Sequence, residues 1–319
     1  MNNIIFMKPV YKDYIWGGNK IKDELKKGTP FEKTAESWEI SANKNGDCEI
    51  INQEFKGKTL SELFSDEAIK EEIFGTKCTN LEEFPLLIKF IDAKDNLSIQ
   101  VHPDDEYAQN KLNQPYGKNE MWYIMDCEEG AQLVGGMTEK LSKEELKDVV
   151  ENNKIKDYLN YVDVKKGDSI YIAAGTLHAI LKNNLICEIQ QNSDVTYRVY
   201  DWDRIGKDGK PRELHKQQAI ETIKSEIIPD VIHSDNNKEV QTIAENKYFK
   251  VDKINCIDKF EDETLNTSFY TINVVAGEGK IKTETEEITI KKGDSFLIPA
   301  NLGKYEIRGK VEILRTNVN

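Results

Sequence analysis

Val162-Asp-Val-Lys-Lys-Gly-Asp-Ser-Ile-Tyr-Ile-Ala-Ala-Gly-Thr-Leu-His178 is echoed later in the chain by Ile288-Thr-Ile-Lys-Lys-Gly-Asp-Ser-Phe-Leu-Ile-Pro-Ala-Asn-Leu-Gly-Lys304. Both stretches carry a Lys-Lys-Gly-Asp-Ser core inside a strand–turn–strand pattern, which predicts one β-barrel unit used twice. Most of the remaining chain reads as short strands with Gly, Asn or Asp at the turns, the all-β pattern. The copies differ where chemistry would sit. His178 aligns with Lys304, and the second copy has no histidine. The first unit is therefore expected to be the working barrel. The second is expected to be a structural or lid partner without a metal of this kind. The predicted fold is mainly β, with duplicated barrels and a few inserted helices. Residues 1–235 would form the metal-binding domain and residues 236–319 the degenerate one.

Three helical interruptions stand out. Thr59-Leu-Ser-Glu62 is a capping box that opens a helix to about Phe74, where Gly75 stops it. Pro103 is placed in the first turn of a short helix through Asp105, Tyr107 and Ala108. Ser142-Lys-Glu-Glu145 is a second capping box, opening a helix toward Tyr158. The helical insertions are thus expected at about 59–74 and 142–158. A linking segment from about Glu213 to Lys238 is helical early and polar late. Its histidines, His215 and His233, read as surface residues.

Leu97-Ser-Ile-Gln-Val-His-Pro-Asp-Asp-Glu106 carries the chemistry. Period-2 alternation sends Gln100 and His102 to one face of a strand. Glu120 heads the next apolar run, and His178 ends the hairpin quoted above. Two imidazoles, a carboxylate and an amide oxygen on neighbouring strands make an open divalent-metal site. Such a nitrogen and oxygen set suits zinc, with manganese or iron as alternatives.

The cations follow. Lys89 interrupts the apolar run Phe84-Pro-Leu-Leu-Ile-Lys-Phe-Ile91. A lysine in a buried strand needs a charged ligand or a barrel interior to explain it. Alternation puts Asp194, Thr196 and Arg198 on one face. Arg198 and Arg204 either pair with Asp201 or Asp203 at the surface or offer a guanidinium to an oxyanion or phosphate. Lys118 shares the face of Glu120 if that strand begins early enough. Trp16, in a Gly-rich loop, is a candidate cavity wall, whereas Trp38 reads as core.

The spacing Gly167-x5-Ala173-x-Gly175-x2-His178 resembles the second cupin motif, with Ala173 where proline is usual. Asn301 stands for the turn glycine in the other copy. Four further stretches resemble the type I mannose-6-phosphate isomerases in their short bacterial form. They are Lys8-Pro-Val-Tyr-Lys-Asp-Tyr-Ile-Trp-Gly-Gly18, Pro85 through Asp104, Gly117-Lys-Asn-Glu-Met-Trp122 and Gln191-Asn-Ser-Asp-Val-Thr-Tyr-Arg198. The resemblance implies one zinc ion per chain, held at Gln100, His102, Glu120 and His178. It implies an essential arginine at Arg198. It places Lys89, Ser98 and Arg204 on the substrate phosphate, and Lys118 and Asp194 near the reacting carbons. In longer members of the family the cation six residues after the arginine is lysine, so Arg204 stands as its replacement. The implied reaction interconverts mannose 6-phosphate and fructose 6-phosphate through a cis-enediol. Lys118 or a zinc-bound water is the candidate proton carrier.

Two other readings compete. Two histidines and a carboxylate also suit a non-haem iron oxygenase, although Gln100 and the set Lys89, Arg198 and Arg204 argue against it. A non-catalytic sugar-phosphate sensor would use the same pocket without turnover. Composition narrows the partners further. With 44 Lys+Arg against 57 Asp+Glu, the 319-residue chain has a formal charge of −13, unsuited to nucleic acid or an anionic membrane. A local group of cations would still admit a phosphorylated hexose. The start of the chain reads as too short an apolar run for a signal peptide, and no stretch is long enough to span a bilayer. Five scattered cysteines without a Cys-x-x-Cys fit reduced, inert thiols in a cytoplasmic protein, for which a monomer or homodimer is expected.

Overall fold

The strand Leu86–Ala93 is buried along its whole length. The computed structural model, which describes residues 3–206 and 208–319, shows why. The strand lies in an eight-stranded antiparallel sheet, between Asn184–Gln191 and Glu36–Asn43. Glu120–Cys127 and Ser169–Ile172 continue the sheet beyond Asn184–Gln191. A five-stranded sheet of Leu159–Asp163, Gln132–Met137, His178–Ile180, Ile99–Val101 and Tyr197–Tyr200 completes the first barrel. Its apolar interior includes Ile91, Trp122, Ile124, Leu133, Ile170 and Ile186.

Alternate residues of the same strands face the other way. Ile88, Phe90, Met121, Tyr123 and Ile189 join Phe64 and Phe74 from the helical insertion and Phe249, Phe269 and Leu314 from the second barrel. Both faces of the large sheet are therefore covered, and its strands read as continuous apolar runs rather than alternating ones. The outer face of the smaller sheet is covered differently. Helix Lys143–Glu151 lays Leu146, Val149 and Val150 over Val101, Val134 and Ala179.

The second barrel is a nine-stranded sheet around Ile254, Phe260, Ile272, Phe296, Ile307 and Ile313. Its hairpin turns as the first one does. Gly167 and Gly293 have φ of 90° and 96°, and Gly175 and Asn301 have φ of 94° and 58°. Asparagine is among the few non-glycine residues that tolerate this left-handed region. The fold is thus mainly β with duplicated barrels. The division by sequence is less clean. Ile5–Lys8 pairs with Ser295–Ile298 on one side and Glu49–Ile50 on the other, so the second barrel's sheet takes strands from the first 50 residues.

The helices depart from expectation in length. Both capping boxes form. The first insertion, however, is two helices, Leu60–Phe64 and Lys70–Phe74. Ser65 and Asp66 break it, because their side chains bond locally, Ser65 Oγ to the Ser61 carbonyl and Asp66 Oδ1 to the Ala68 amide. The second insertion ends its α-helix at Glu151, and Asn153 turns left-handed before a 3₁₀ turn at Ile155–Tyr158. Pro103 lies outside its helix. Asp104 is the N-cap, accepting from the Tyr107 amide, and Asp105–Tyr107 runs into a π-turn at Ala108–Leu112. Early in the linking segment a helix forms at Lys216–Thr222. No helix among the described residues is long and apolar enough to cross a membrane. Cys48, Cys78, Cys187 and Cys256 are buried, Cys127 is half-buried, and all five are free thiols.

Candidate metal centre and cavity

His102, Glu120 and His178 converge inside the first barrel, all three fully enclosed. They arrive from three strand ends. His102 follows the strand Ile99–Val101, Glu120 starts its strand, and His178 starts the strand after the Gly175 turn. The imidazole Nε2 atoms lie 3.1 Å apart. Each is close to Glu120, His178 Nε2 at 3.3 Å from Oε1 and His102 Nε2 at 3.5 Å from Oε2. The other ring nitrogens face carbonyl oxygens, His102 Nδ1 to Val195 and His178 Nδ1 to Thr176, both at 2.8 Å. A nitrogen facing a carbonyl must carry the proton, which leaves both Nε2 atoms with lone pairs turned toward one point.

The electrostatics agree. Burial, and then the Lys118 ammonium, hold the His102 pKa well below its usual value. Burial likewise lowers that of His178, to about 4. Both rings are neutral at pH 7 and able to act as ligands. Neither Glu120 oxygen has a hydrogen-bond partner, although Lys118 Nζ lies 2.9 Å from Oε2. Burial and the nearby Glu188 carboxylate push the Glu120 pKa up. Two neutral imidazoles and an orphaned carboxylate, all aimed at one point, suit a borderline divalent cation such as zinc. The residues present therefore fit the metal that the sequence implies.

Beside this trio lies a cavity of about 340 Å³. Gln100, Lys118, Asp194, Arg198, Ser98, Lys89 and Trp16, all singled out from sequence, line it. Gln100 sits opposite His178 on one neighbouring strand and opposite Arg198 on the other. Lys118 precedes its strand rather than belonging to it, yet its ammonium reaches His102 Nε2 at 3.1 Å. Asp194 accepts from Asn45 Nδ2. Arg198 donates to the Glu213 carbonyl, while its Nε is buried without a partner.

Lys89 proves to be an internal ion pair. Its Nζ is 3.0 Å from Glu188 Oε1 and 4.0 Å from Glu36, and lies over the Trp38 ring. Burial works against its charge, but the two carboxylates win and raise its pKa. Glu188 is held low by Lys89 and Lys118 against the opposing effect of burial. Trp122 Nε1 donates to the other Glu188 oxygen.

Two sequence readings fail on geometry. Arg204 does not line this cavity, since its guanidinium bonds to the Asn96 carbonyl and to Asp201. Trp202 and Asp203 are both left-handed, so the strand Tyr197–Tyr200 does not carry its alternation on to residue 204. Arg212 lines the cavity instead, gripped through Nε and Nη2 by the two oxygens of Asp201. His215 is not a plain surface residue either. It is half-buried, and its Nδ1 accepts from the Arg198 amide. His233 is exposed and 2.8 Å from Asp168. Sequence reasoning also passed over Glu188, Glu36, Tyr14 and the cavity face of Trp38. For Glu188 a signal existed. It interrupts an apolar strand as Lys89 does, and the two sit directly opposite each other.

A cavity in which Arg198 keeps an unpaired guanidinium edge, next to an enclosed set of groups able to hold a metal, can bind a small anionic substrate and polarise one of its oxygens. Comparison with known proteins is consistent with that chemistry. Residues 4–140 match the family described as phosphomannose isomerase type I, catalytic domain, and residues 239–318 match the mannose-6-phosphate isomerase cupin domain. The mannose-6-phosphate isomerase ManA of Bacillus subtilis (strain 168) is 39% identical over 314 residues, covering 97% of each chain. A crystal structure of the mannose 6-phosphate isomerase from Bacillus subtilis superposes with a TM-score of 0.89 at 37% identity, covering 98% of this chain and 99% of that one. A structure of mannose 6-phosphate isomerase bound with zinc and yttrium shares the fold at 16% identity, with a TM-score of 0.77 and 99% of each chain covered. Full-length identity at this level, over both barrels, shows that the chain belongs to the type I mannose-6-phosphate isomerase family.

Proposed function

We propose that the protein interconverts mannose 6-phosphate and fructose 6-phosphate, with one zinc ion per chain held by Gln100, His102, Glu120 and His178. The observation that carries this reading is the orphaned Glu120 carboxylate facing two imidazole lone pairs beside a cation-lined cavity. Zinc bound there supplies a Lewis acid for the sugar carbonyl.

The chain's own residues do the rest. Aldose–ketose isomerisation takes the proton from C2 and returns one to C1 through a cis-enediol, while a hydroxyl proton moves between the two oxygens. Lys118, 4% exposed and at the rim of the metal ligands, is the proton carrier. Arg198 neutralises the developing oxyanion through the guanidinium edge that has no protein partner. Arg212 and Ser98 bind the phosphate, with Lys89 adding charge behind them, and Arg212 takes the place that the sequence assigns to Arg204. Asp194 faces the reacting carbons. Trp16 and Tyr14, whose ring centroids lie 5.7 Å apart at a tilt of 38°, form an apolar wall that limits water access. The free thiols fit a cytoplasmic protein, and a monomer or homodimer is the expected state.

The test is turnover of mannose 6-phosphate by purified protein before and after chelation, with zinc added back and counted. Activity lost and then restored at one zinc per chain is the expected result. A zinc-loaded protein without turnover overturns the isomerase reading.

A further inference from the structure

Asp105 is one residue that ties the two barrels together, close in sequence to the site. It lies three residues after His102, and all of its carboxylate is engaged. Oδ1 accepts from the Gly117 amide at 2.9 Å and from Gln191 Nε2 at 3.0 Å. Oδ2 accepts from the Tyr248 hydroxyl at 2.6 Å, with Lys247 Nζ at 3.4 Å. Tyr248 and Lys247 belong to the turn between the second-barrel strands Val240–Glu245 and Phe249–Cys256. That turn is itself fixed, because Asn246 Oδ1 accepts from the Tyr248 and Phe249 amides.

On the first-barrel side the network runs into the segment that delivers Lys118. Gln191 Oε1 accepts from both the backbone amide and the side-chain amide of Asn119. The Lys118 amide donates to the Pro103 carbonyl. Gly117 fits there only without a side chain, since an added Cβ would stand 2.3 Å from the Asp104 carbonyl carbon. Residues 117–119 are thus tied to Asp105 directly and through Gln191, and Asp105 is tied to the second barrel. Lys118 precedes the regular strand, and the last ladder bond, from the Gln191 amide to the Asn119 carbonyl, stops one residue after it, so this network helps fix the backbone from which its ammonium reaches Glu120 and His102.

We propose that Tyr248 is a positioning residue for the site in the first barrel, acting through Asp105 on the Gly117–Asn119 segment that carries Lys118. The second barrel then contributes to the reaction without touching substrate. Its effect on turnover rests on the isomerase reading above, whereas its effect on the Gly117–Asn119 segment does not.

Tyr248→Phe removes one hydroxyl and leaves the ring. In the zinc-loaded full chain, one lost hydrogen bond to a charged group corresponds to about a tenfold change. The expected result is about tenfold faster amide hydrogen exchange across 115–121, with other first-barrel strands and the bound zinc unchanged. In the same preparation kcat for mannose 6-phosphate falls and KM holds. Asp105→Asn produces the same pattern, and the double variant is no worse than Asp105→Asn alone. Exchange at 115–121 unchanged in Tyr248→Phe overturns the proposal, as does exchange that rises evenly over the whole first barrel. A wild-type protein without turnover overturns the isomerase reading alone and leaves the exchange result to decide this one.

Discussion

The two barrels share a hairpin and use their interiors in opposite ways. In the first, the central groups are left open, since the Glu120 carboxylate has only the Lys118 ammonium beside it and the Nε2 atoms of His102 and His178 face each other. In the second, the charges are matched to each other. Arg315 donates to Asp252 at 2.6 Å and to Asp262, which also accepts from Tyr305. Buried polar groups are tolerated when paired, and cost stability when they wait for a partner that is not protein. The comparison separates a barrel whose central groups are held ready for a ligand from one whose charges are closed on each other.

Changes to the open barrel should alter function far more than folding. Lys118→Met should lower turnover by about 10²–10⁴-fold with zinc retained. Full turnover together with full solvent-proton exchange at C2 would refute its role as proton carrier. The closed barrel should answer the other way. Arg315→Met strands Asp252 and Asp262 and should cost about 3–5 kcal/mol in denaturant unfolding, with kcat of the folded protein little changed. Adding Asp252→Asn and Asp262→Asn should return most of that loss, and no recovery would show that the cluster is not what closes this core.

The open barrel should also be sensitive to acid once metal is removed. Unfolded histidine takes up a proton near pH 6.5, whereas His178 in the fold does so only near 4. Its contribution is therefore complete above pH 6.5 and lost as pH falls toward 4, about 3 kcal/mol in chelated protein, and is read in Glu120→Gln, where the raised Glu120 carboxyl no longer titrates with the opposite sign over the same range. Urea midpoints across that range would check this, and a flat profile would contradict it. The smallest effect concerns the two arginines. Arg212→Gln should raise KM for the phosphorylated sugar and Ki for inorganic phosphate about tenfold, as for one lost charged contact. Arg204→Gln, whose guanidinium lies outside the cavity that Arg212 lines, should do neither. The reverse ranking would restore the reading made from sequence.

What was legible in the chain was what is local. The Lys-Lys-Gly-Asp-Ser echo, the capping boxes and the anomalous Lys89 each depend on residues within a turn or a strand of one another. The convergence of His102, Glu120 and His178 was also readable, because strand alternation and a glycine turn aim side chains predictably. Arg212 was not readable. Its place in the cavity depends on two left-handed residues, Trp202 and Asp203, that end the period-2 pattern, and neither residue type announces such a bend. The contact between Asp105 and Tyr248 spans 143 positions along the chain, and no periodicity reports it.

The strand Ile5–Lys8 sets an order in time. It leaves the ribosome on the order of tens of seconds before Ser295–Ile298, the strand it pairs with, at typical rates of synthesis. The first barrel can close its own sheets in that interval, but the second cannot be finished until the nascent chain returns to its beginning. Releasing the second barrel by cutting the linking segment would therefore yield a sheet lacking Ile5–Lys8 and Glu49–Ile50, with a bare edge at Ser295–Ile298 open to another copy.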